Sequence, residues 1–270
     1  MNKPPLNRYF RFSLRSMLVV VALISIACIP FRLRLKQAAR ERELATWVRS
    51  VGGRCGTIAS ASQLEPAVRW LSVTTDIGLF RTVNTIQLSN TRVDDIRPLA
   101  DAVNLEAIYL DHTLVTDLAP LQDLRRITYL RVSGSHVANL TALAGLQRLV
   151  SLDVHGTPVS DVTILAELKS LRELDLSDTN VSNIDVLAHL TELETLNLNT
   201  TPISDIGPLR ALHKLKTLRL YRSKVSDLSP LSGMTSLESI DIQETPVTKQ
   251  AVIDFHKARP ACAITCSDFE

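Results

Sequence analysis

Apolar residues recur along this chain on a fixed beat. From Val83 onward they fall at positions 1, 4, 6, 11, 14 and 17 of a 22-residue unit, whose copies begin at Val83, Leu105, Ile127, Leu149, Leu171, Leu193, Leu215 and Leu237. No insertion interrupts the eight units. Position 4 reads Ile86, Ile108, Leu130, Leu152, Leu174, Leu196, Leu218 and Ile240, and position 6 reads Leu88, Leu110, Val132, Val154, Leu176, Leu198, Leu220 and Ile242. Alternation across positions 4 to 6 predicts a strand with one buried face. The later spacing, 14 to 17 to 20, suits a turn of helix. One such unit cannot bury its apolar side alone, whereas stacked units share a continuous core.

Two polar columns keep the same beat. Position 9 holds only hydroxyls: Thr91, Thr113, Ser135, Thr157, Thr179, Thr201, Ser223 and Thr245. A hydroxyl there can satisfy backbone groups of the turn after the strand. Position 13 holds Asp95, Asp117, Asn139, Asp161, Asn183, Asp205 and Asp227, then Lys249. Seven aligned acids or amides could suggest calcium. N-capping is the better reading, because each precedes the helical segment, and Pro98, Pro120, Pro208 and Pro230 sit in its first turn, where a missing N–H costs nothing.

The pattern L-x-x-L-x-L-x-x-T-x-V over residues 83–258 resembles the leucine-rich repeat family. Its short 22-residue form, with Asp-x-x-Pro-Leu following, looks like the internalin and phosphatase-regulator branches. The resemblance implies an α/β solenoid, a horseshoe whose parallel sheet lines the concave face, and a protein-binding role. The family more often has Asn at position 9, a departure that touches only the rigidity of the turn. Residues 52–82, off register, are expected to cap the N-terminal end, with a helix around Pro66 to Leu71. The loss of the acid column at Lys249, with Phe255 and Pro260, marks the last repeat and a C-terminal cap over 259–270.

Charge and hydropathy set the N-terminal segment apart. Residues 1–50 carry a net +8 and residues 51–270 a net −6, which argues against nucleic-acid binding by the body. Ser16 to Phe31 contains no charge. It lies between a basic tail, residues 1–15, and a basic stretch, residues 34–51, that reads as a helix stopped by Gly52-Gly53. With flanking residues the apolar run reaches 16–33 and is read as a transmembrane helix that anchors the chain, arginines at both ends making up for its shortness. The start RFSLRSMLVVVALI resembles that of membrane-anchored bacterial leucine-rich repeat proteins. A cleaved signal peptide and a lipoprotein-like box at Ser25-Ile26-Ala27-Cys28 are the alternatives. An N-terminal anchor with a short basic tail puts the body outside the cytoplasmic membrane; the near tie of flanking charges leaves the cytoplasmic placement open. Four cysteines form neither a disulfide framework nor a zinc spacing.

No nucleophile elbow, phosphate loop, dinucleotide fingerprint or metalloprotease helix occurs. The chain is therefore read as a non-enzyme with no cofactor and no metal; His112, His136 and His155 occupy positions 8, 10 and 7 and do not share a column. Positions 3, 5, 7 and 8 are expected to face solvent on the concave side. There, Tyr109, Asp111, Tyr129 and Arg131 make one aromatic and charged patch. Asp153, Glu173, Asp175 and Asp178 form an acidic middle, Arg219, Tyr221 and Arg222 make a second basic-aromatic patch, and His155 and Asn197 are further candidate binding residues of this face. Tyr and Arg are favoured interface anchors. Three functions fit: a membrane-tethered module binding a protein or peptide, a structural or adhesion element of the cell envelope, and a regulatory subunit of a cytoplasmic enzyme.

Overall fold

The computed structural model describes residue 33, residues 35–59 and residues 81–267. The proposed anchor, apart from Leu33, and the helix expected near Pro66 lie outside the described residues. Among the described residues no helix is long and apolar enough to cross a membrane. The unit formed by Glu41–Ala59 and Thr82–Glu270 carries all the repeats.

Within that unit the strands form one ten-stranded sheet in strict chain order. They are β1 (Arg54–Ala59), β2 (Arg81–Gln87), β3 (Ala107–Tyr109), β4 (Tyr129–Arg131), β5 (Ser151–Asp153), β6 (Glu173–Asp175), β7 (Thr195–Asn197), β8 (Thr217–Arg219), β9 (Ser239–Asp241) and β10 (Ala263–Thr265). From β2 to β9 every pairing is parallel, and the partners are position-4 equivalents one repeat apart, Ile86 with Ile108 through Leu218 with Ile240. β10 extends the sheet in parallel, with Ile264 opposite Ile240. The eight repeat strands thus gain a further strand at each end. Every position-4 side chain is at most 2% exposed, because alternation turns positions 4 and 6 toward the shared core while 3 and 5 face out.

The return path of each repeat is a 3-10 helix, seven of them among the described residues, from Arg97–Leu99 to Ser229–Leu231. The position-13 column starts each one, but by a different bond from the expected N-cap. Each Asp or Asn side-chain oxygen accepts the backbone N–H two residues on, at 2.7–2.9 Å, from Asp95 with Arg97 to Asp227 with Ser229. This is an Asx turn, and the residue between, such as Ile96, makes no side-chain cap. Those oxygens are thereby committed to backbone.

Position 9 also closes a turn. All six threonines donate their hydroxyl to the carbonyl three residues back, at 2.6–2.7 Å. Ser135 and Ser223 do not, and their hydroxyls are buried without a hydrogen-bond partner among the described residues. Between strand and hydroxyl, position 8 adopts the left-handed region in all eight repeats: Asn90, His112, Gly134, Gly156, Asp178, Thr200, Arg222 and Glu244, at φ of 53–64°. That conformation aims the position-8 N–H at the next repeat's position-7 carbonyl, as from Asn90 to Asp111 and from Thr200 to Tyr221. The ladder of inter-repeat bonds thereby continues past the strands.

Both ends are closed. Helix α1, residues 35–50, stops in a Schellman arrangement, with Gly53 N–H on the Val48 carbonyl, Gly52 N–H on that of Arg49, and Gly52 at φ 85°. Leu44 and Val48 are buried in the core. The end of the stretch 34–51, read from sequence as separate from the cap over 52–82, therefore supplies part of the cap, because Leu44 and Val48 join the core beside the first repeat. A Cβ on Gly53 would lie 2.5 Å from Leu88 Cδ2 and 2.7 Å from the Gln87 carbonyl oxygen. At the other end α2 (Lys249–Ala258) replaces the 3-10 helix, with Thr248 Oγ1 accepting from the Ala251 N–H. Phe255 and Cys262 are buried there, and Arg259 Nη2 donates to the Thr235 and Leu237 carbonyls.

Candidate functional site

Because the repeats stack in register, equivalent side chains line up as rows across the sheet. Position 5 runs Tyr109, Arg131, Asp153, Asp175, Asn197 and Arg219 along consecutive strands. Two hollows lie over these rows. One, of about 460 Å³, is lined by Tyr109, Tyr129, Arg131, Ser151, Asp153, Glu173, Asp175, Thr195, Asn197 and Arg219. The other, of about 400 Å³, lies toward the strand ends and adds Ser133, His155, Ser177, Asp178, Asn199, Thr200 and Tyr221. They share Arg131, Asp153, Asp175 and Asn197, so they form one groove.

The structure brings together most of the residues singled out in the sequence. Tyr109, Tyr129, Arg131, Asp153, His155, Asp175, Asn197, Arg219 and Tyr221 all line the groove. Asp111 does not line it but sits beside it. The position-7 row is less open than alternation suggests: Asp111, Ser133 and Ser177 are buried, as is Asn197 in row 5. Neighbouring strands stand only about 4.8 Å apart, so longer side chains on the next strand roof over these short ones.

Charge in the groove is organised by Arg131. Its Nε lies 3.4 Å from Asp111 Oδ1 and 3.3 Å from Asp153 Oδ2. Asp111 Oδ2 accepts the Ser89 hydroxyl, while Oδ1 is buried without a hydrogen bond among the described residues. Burial pushes the Asp153 carboxyl above its ordinary range; the His155 backbone N–H opposes this, Asp175 adds repulsion, and Arg131 offsets part of it. Asp175 accepts from the Ser177 N–H and hydroxyl and from Asn197 Nδ2.

His155, Ser177 and Asp175 thus stand in contact, with His155 Nδ1 2.9 Å from Ser177 Oγ. The order is not that of a hydrolytic triad, in which His separates Ser from the carboxylate. Here the serine is in the middle and gives its proton to Asp175. The three form a polar brace for the groove floor.

The second basic-aromatic patch is less free than its residue types suggest. Arg222 lies over the Tyr221 ring, 5.1 Å from its centre, and its Nε bonds Glu244 at 2.6 Å. The Tyr221 hydroxyl also donates to Glu244. These bonds hold the Glu244 carboxyl below its usual range, that from Arg222 first. Arg222 lies outside the groove lining, and its charge is neutralised. The sequence signal for Glu244 is its place 22 residues after Arg222, in the same column. Ser177 and Asn199 were likewise absent from the sequence-derived site, since nothing in their type distinguishes them from solvated strand residues.

Residues 169–211 match the Leucine Rich repeats family, two copies. Over those residues the chain resembles leucine-rich repeats. The repeat body is similar in structure to an internalin of Listeria monocytogenes (inlF), at 26% identity, covering 70% of this chain and 54% of that one, TM-score 0.62. It is also similar to internalin C2 of Listeria monocytogenes, at 28% identity, covering 82% of this chain and 96% of that one, TM-score 0.65. A leucine-rich repeat protein of Leptospira interrogans shares the fold at 16% identity, 69% and 54% coverage and TM-score 0.61. The aligned part spans about half the length of the first and third of these relatives. No curated protein matches the sequence. Leucine-rich repeat proteins are generally protein-binding.

Proposed function

We propose that this protein is a recognition module, tethered to a membrane through residues 16–33, whose repeat face binds a protein or peptide. One observation carries the reading: the rows of the sheet assemble a continuous groove in which Tyr129 stands 46% exposed beside Arg131, Asp153 and Glu173. A tyrosine held in place by sheet backbone loses little entropy when a partner covers it, so it makes an efficient anchor. The uncharged run flanked by basic residues supports the tether, and the basic N-terminal tail supports placing the repeats outside the cytoplasmic membrane.

The test is cross-linking from within the groove. A photo-reactive phenylalanine analogue at position 129 of the full chain, which keeps an aromatic ring there, is expected in the cell that makes it to capture a discrete partner. The same group at position 192, outside the groove, is expected not to. Identical capture from both positions, or none from 129, would remove the groove as a recognition surface.

A further inference from the structure

The groove already holds one guanidinium of its own. Arg131 lies between Asp111 on one side and Asp153 on the other. Moving along the sheet, the acids continue as Glu173 and Asp175 on β6 and Asp178 just beyond. β7 then offers Thr195 and Asn197 where β4 offers Tyr129 and Arg131. Arg131 serves Asp111 and Asp153, and neither Glu173 nor Asp178 has an ion pair among the described residues. Arg219, at the far end, makes none either. The middle of the groove thus carries two carboxylates, Glu173 and Asp178, that make no ion pair among the described residues.

Three further observations bear on this acidic middle. Asp111 is nine-tenths buried, and its Oδ1, directed at Arg131, lacks a hydrogen bond among the described residues. Arg131 is therefore shared by two carboxylates and satisfies neither fully, at 3.3–3.4 Å. Burial and the neighbouring acids also raise the Asp153 carboxyl, so a further positive charge arriving there would be stabilised by relieving that strain. Finally, Tyr129 presents an exposed ring at the groove edge, within the same lining as Glu173.

Resting on the recognition reading above, we infer that the groove takes an arginine side chain from an extended segment of the partner protein. The guanidinium lies between the Tyr129 ring and the carboxylates of Asp153 and Glu173. A planar guanidinium stacks on an aromatic face while its N–H groups reach carboxylates in the same plane; a lysine ammonium makes only point contacts. The segment is extended because the groove follows successive strands about 4.8 Å apart, a spacing that extended side chains on one face, roughly 6.6 Å apart, can follow obliquely.

The test uses the full chain in non-ionic detergent and a fluorescein-labelled peptide of alternating glycine and arginine, read by fluorescence anisotropy at about 0.15 M salt, where long-range attraction is screened. Saturable binding is expected, weakened at least about fivefold by Glu173→Gln, by Asp153→Asn and by Tyr129→Leu. Glu192→Gln, outside the groove, is expected to leave it unchanged. Equal weakening by Glu192→Gln, equal binding of the glycine-lysine peptide, or no binding would overturn the inference. A partner cross-linked at position 129 and retained unchanged by the Glu173→Gln chain would overturn it while leaving the recognition reading intact. Arginine-peptide binding without any cross-linked partner would sink that reading and overturn the partner protein as the source of the arginine.

Discussion

Thr200 sits at φ 55°, a conformation that a β-branched side chain rarely adopts. Its column explains why it stays there: the position-8 N–H must reach the next repeat, and the same dihedral recurs in all eight units. Gly134 and Gly156 meet this demand without strain, and Gly134 also leaves room for its neighbour, since a Cβ there would lie 2.4 Å from His112 Nδ1. One position further, the hydroxyl column shows a sharper difference between Thr and Ser. The six threonines bond the carbonyl three residues back, while Ser135 and Ser223 leave buried hydroxyls unpaired. A γ-methyl restricts χ1 and holds the hydroxyl on the carbonyl side. Ser135→Thr and Ser223→Thr are therefore each expected to stabilise the fold by about 0.5–1.5 kcal/mol, read as a higher urea midpoint with unchanged slope. Of these columns, the hydroxyls were visible in the sequence as a pattern. The left-handed column was not, because that one backbone angle is adopted by seven different residue types across the eight repeats; its only trace is Asn90, Gly134, Gly156 and Asp178, all types that tolerate that angle.

Along a single strand, next-door residues live in different surroundings. Leu174 in β6 is 2% exposed in the shared core, so Leu174→Ala should cost about 2–5 kcal/mol by opening a cavity. Alternation alone makes Asp175 a neutral position, and here the structure corrects the sequence. Its carboxylate pairs the buried Ser177 hydroxyl and the Asn197 amide, so Asp175→Ala is expected to cost about 1–3 kcal/mol, whereas exposed Glu173→Ala should be close to silent. Thermal melts of the three variants separate them. Asp153 in β5 gives a pH signature with a definite sign. Its folded carboxyl titrates above the ordinary value of 3.8, so the folded state binds the proton more readily and the charged form costs stability at neutral pH. Asp153→Asn should stabilise at neutral pH, and the gain should fade as pH drops through the raised folded value toward 3.8 and the wild-type carboxyl protonates. A gain that grows on acidification would contradict the burial argument. Strand and core were legible because period-2 burial writes itself into residue type; the polar braces were not, because they join residues 2, 20 or 22 apart whose types are unremarkable singly.

At the scale of the whole chain, the caps decide where it can be cut. Deleting residues 1–35 leaves Leu44 and Val48 in the core and should yield a soluble, folded repeat domain, while the full chain should sediment with membranes and resist high-salt extraction. Salt release of the full chain would indicate a peripheral basic arm. Deleting through residue 51 should instead lower the melting temperature, because it uncovers the first repeat. Repeat number, sheet order and register were readable from the 22-residue beat; the added strands β1 and β10 were not, because caps escape the period that reveals the repeats. Strict chain order has a mechanical consequence. Every strand bonds only its sequence neighbours, so tension between the chain's two ends loads the ladder in series, like a zipper, and not in shear across many bonds at once. Repeats would then detach singly from an end, each releasing 22 residues, about 70 Å of slack at roughly 3.3 Å per residue. A protein held at its N-terminus and gripped on its sheet face would lengthen stepwise under load, acting as a shock absorber between membrane and partner.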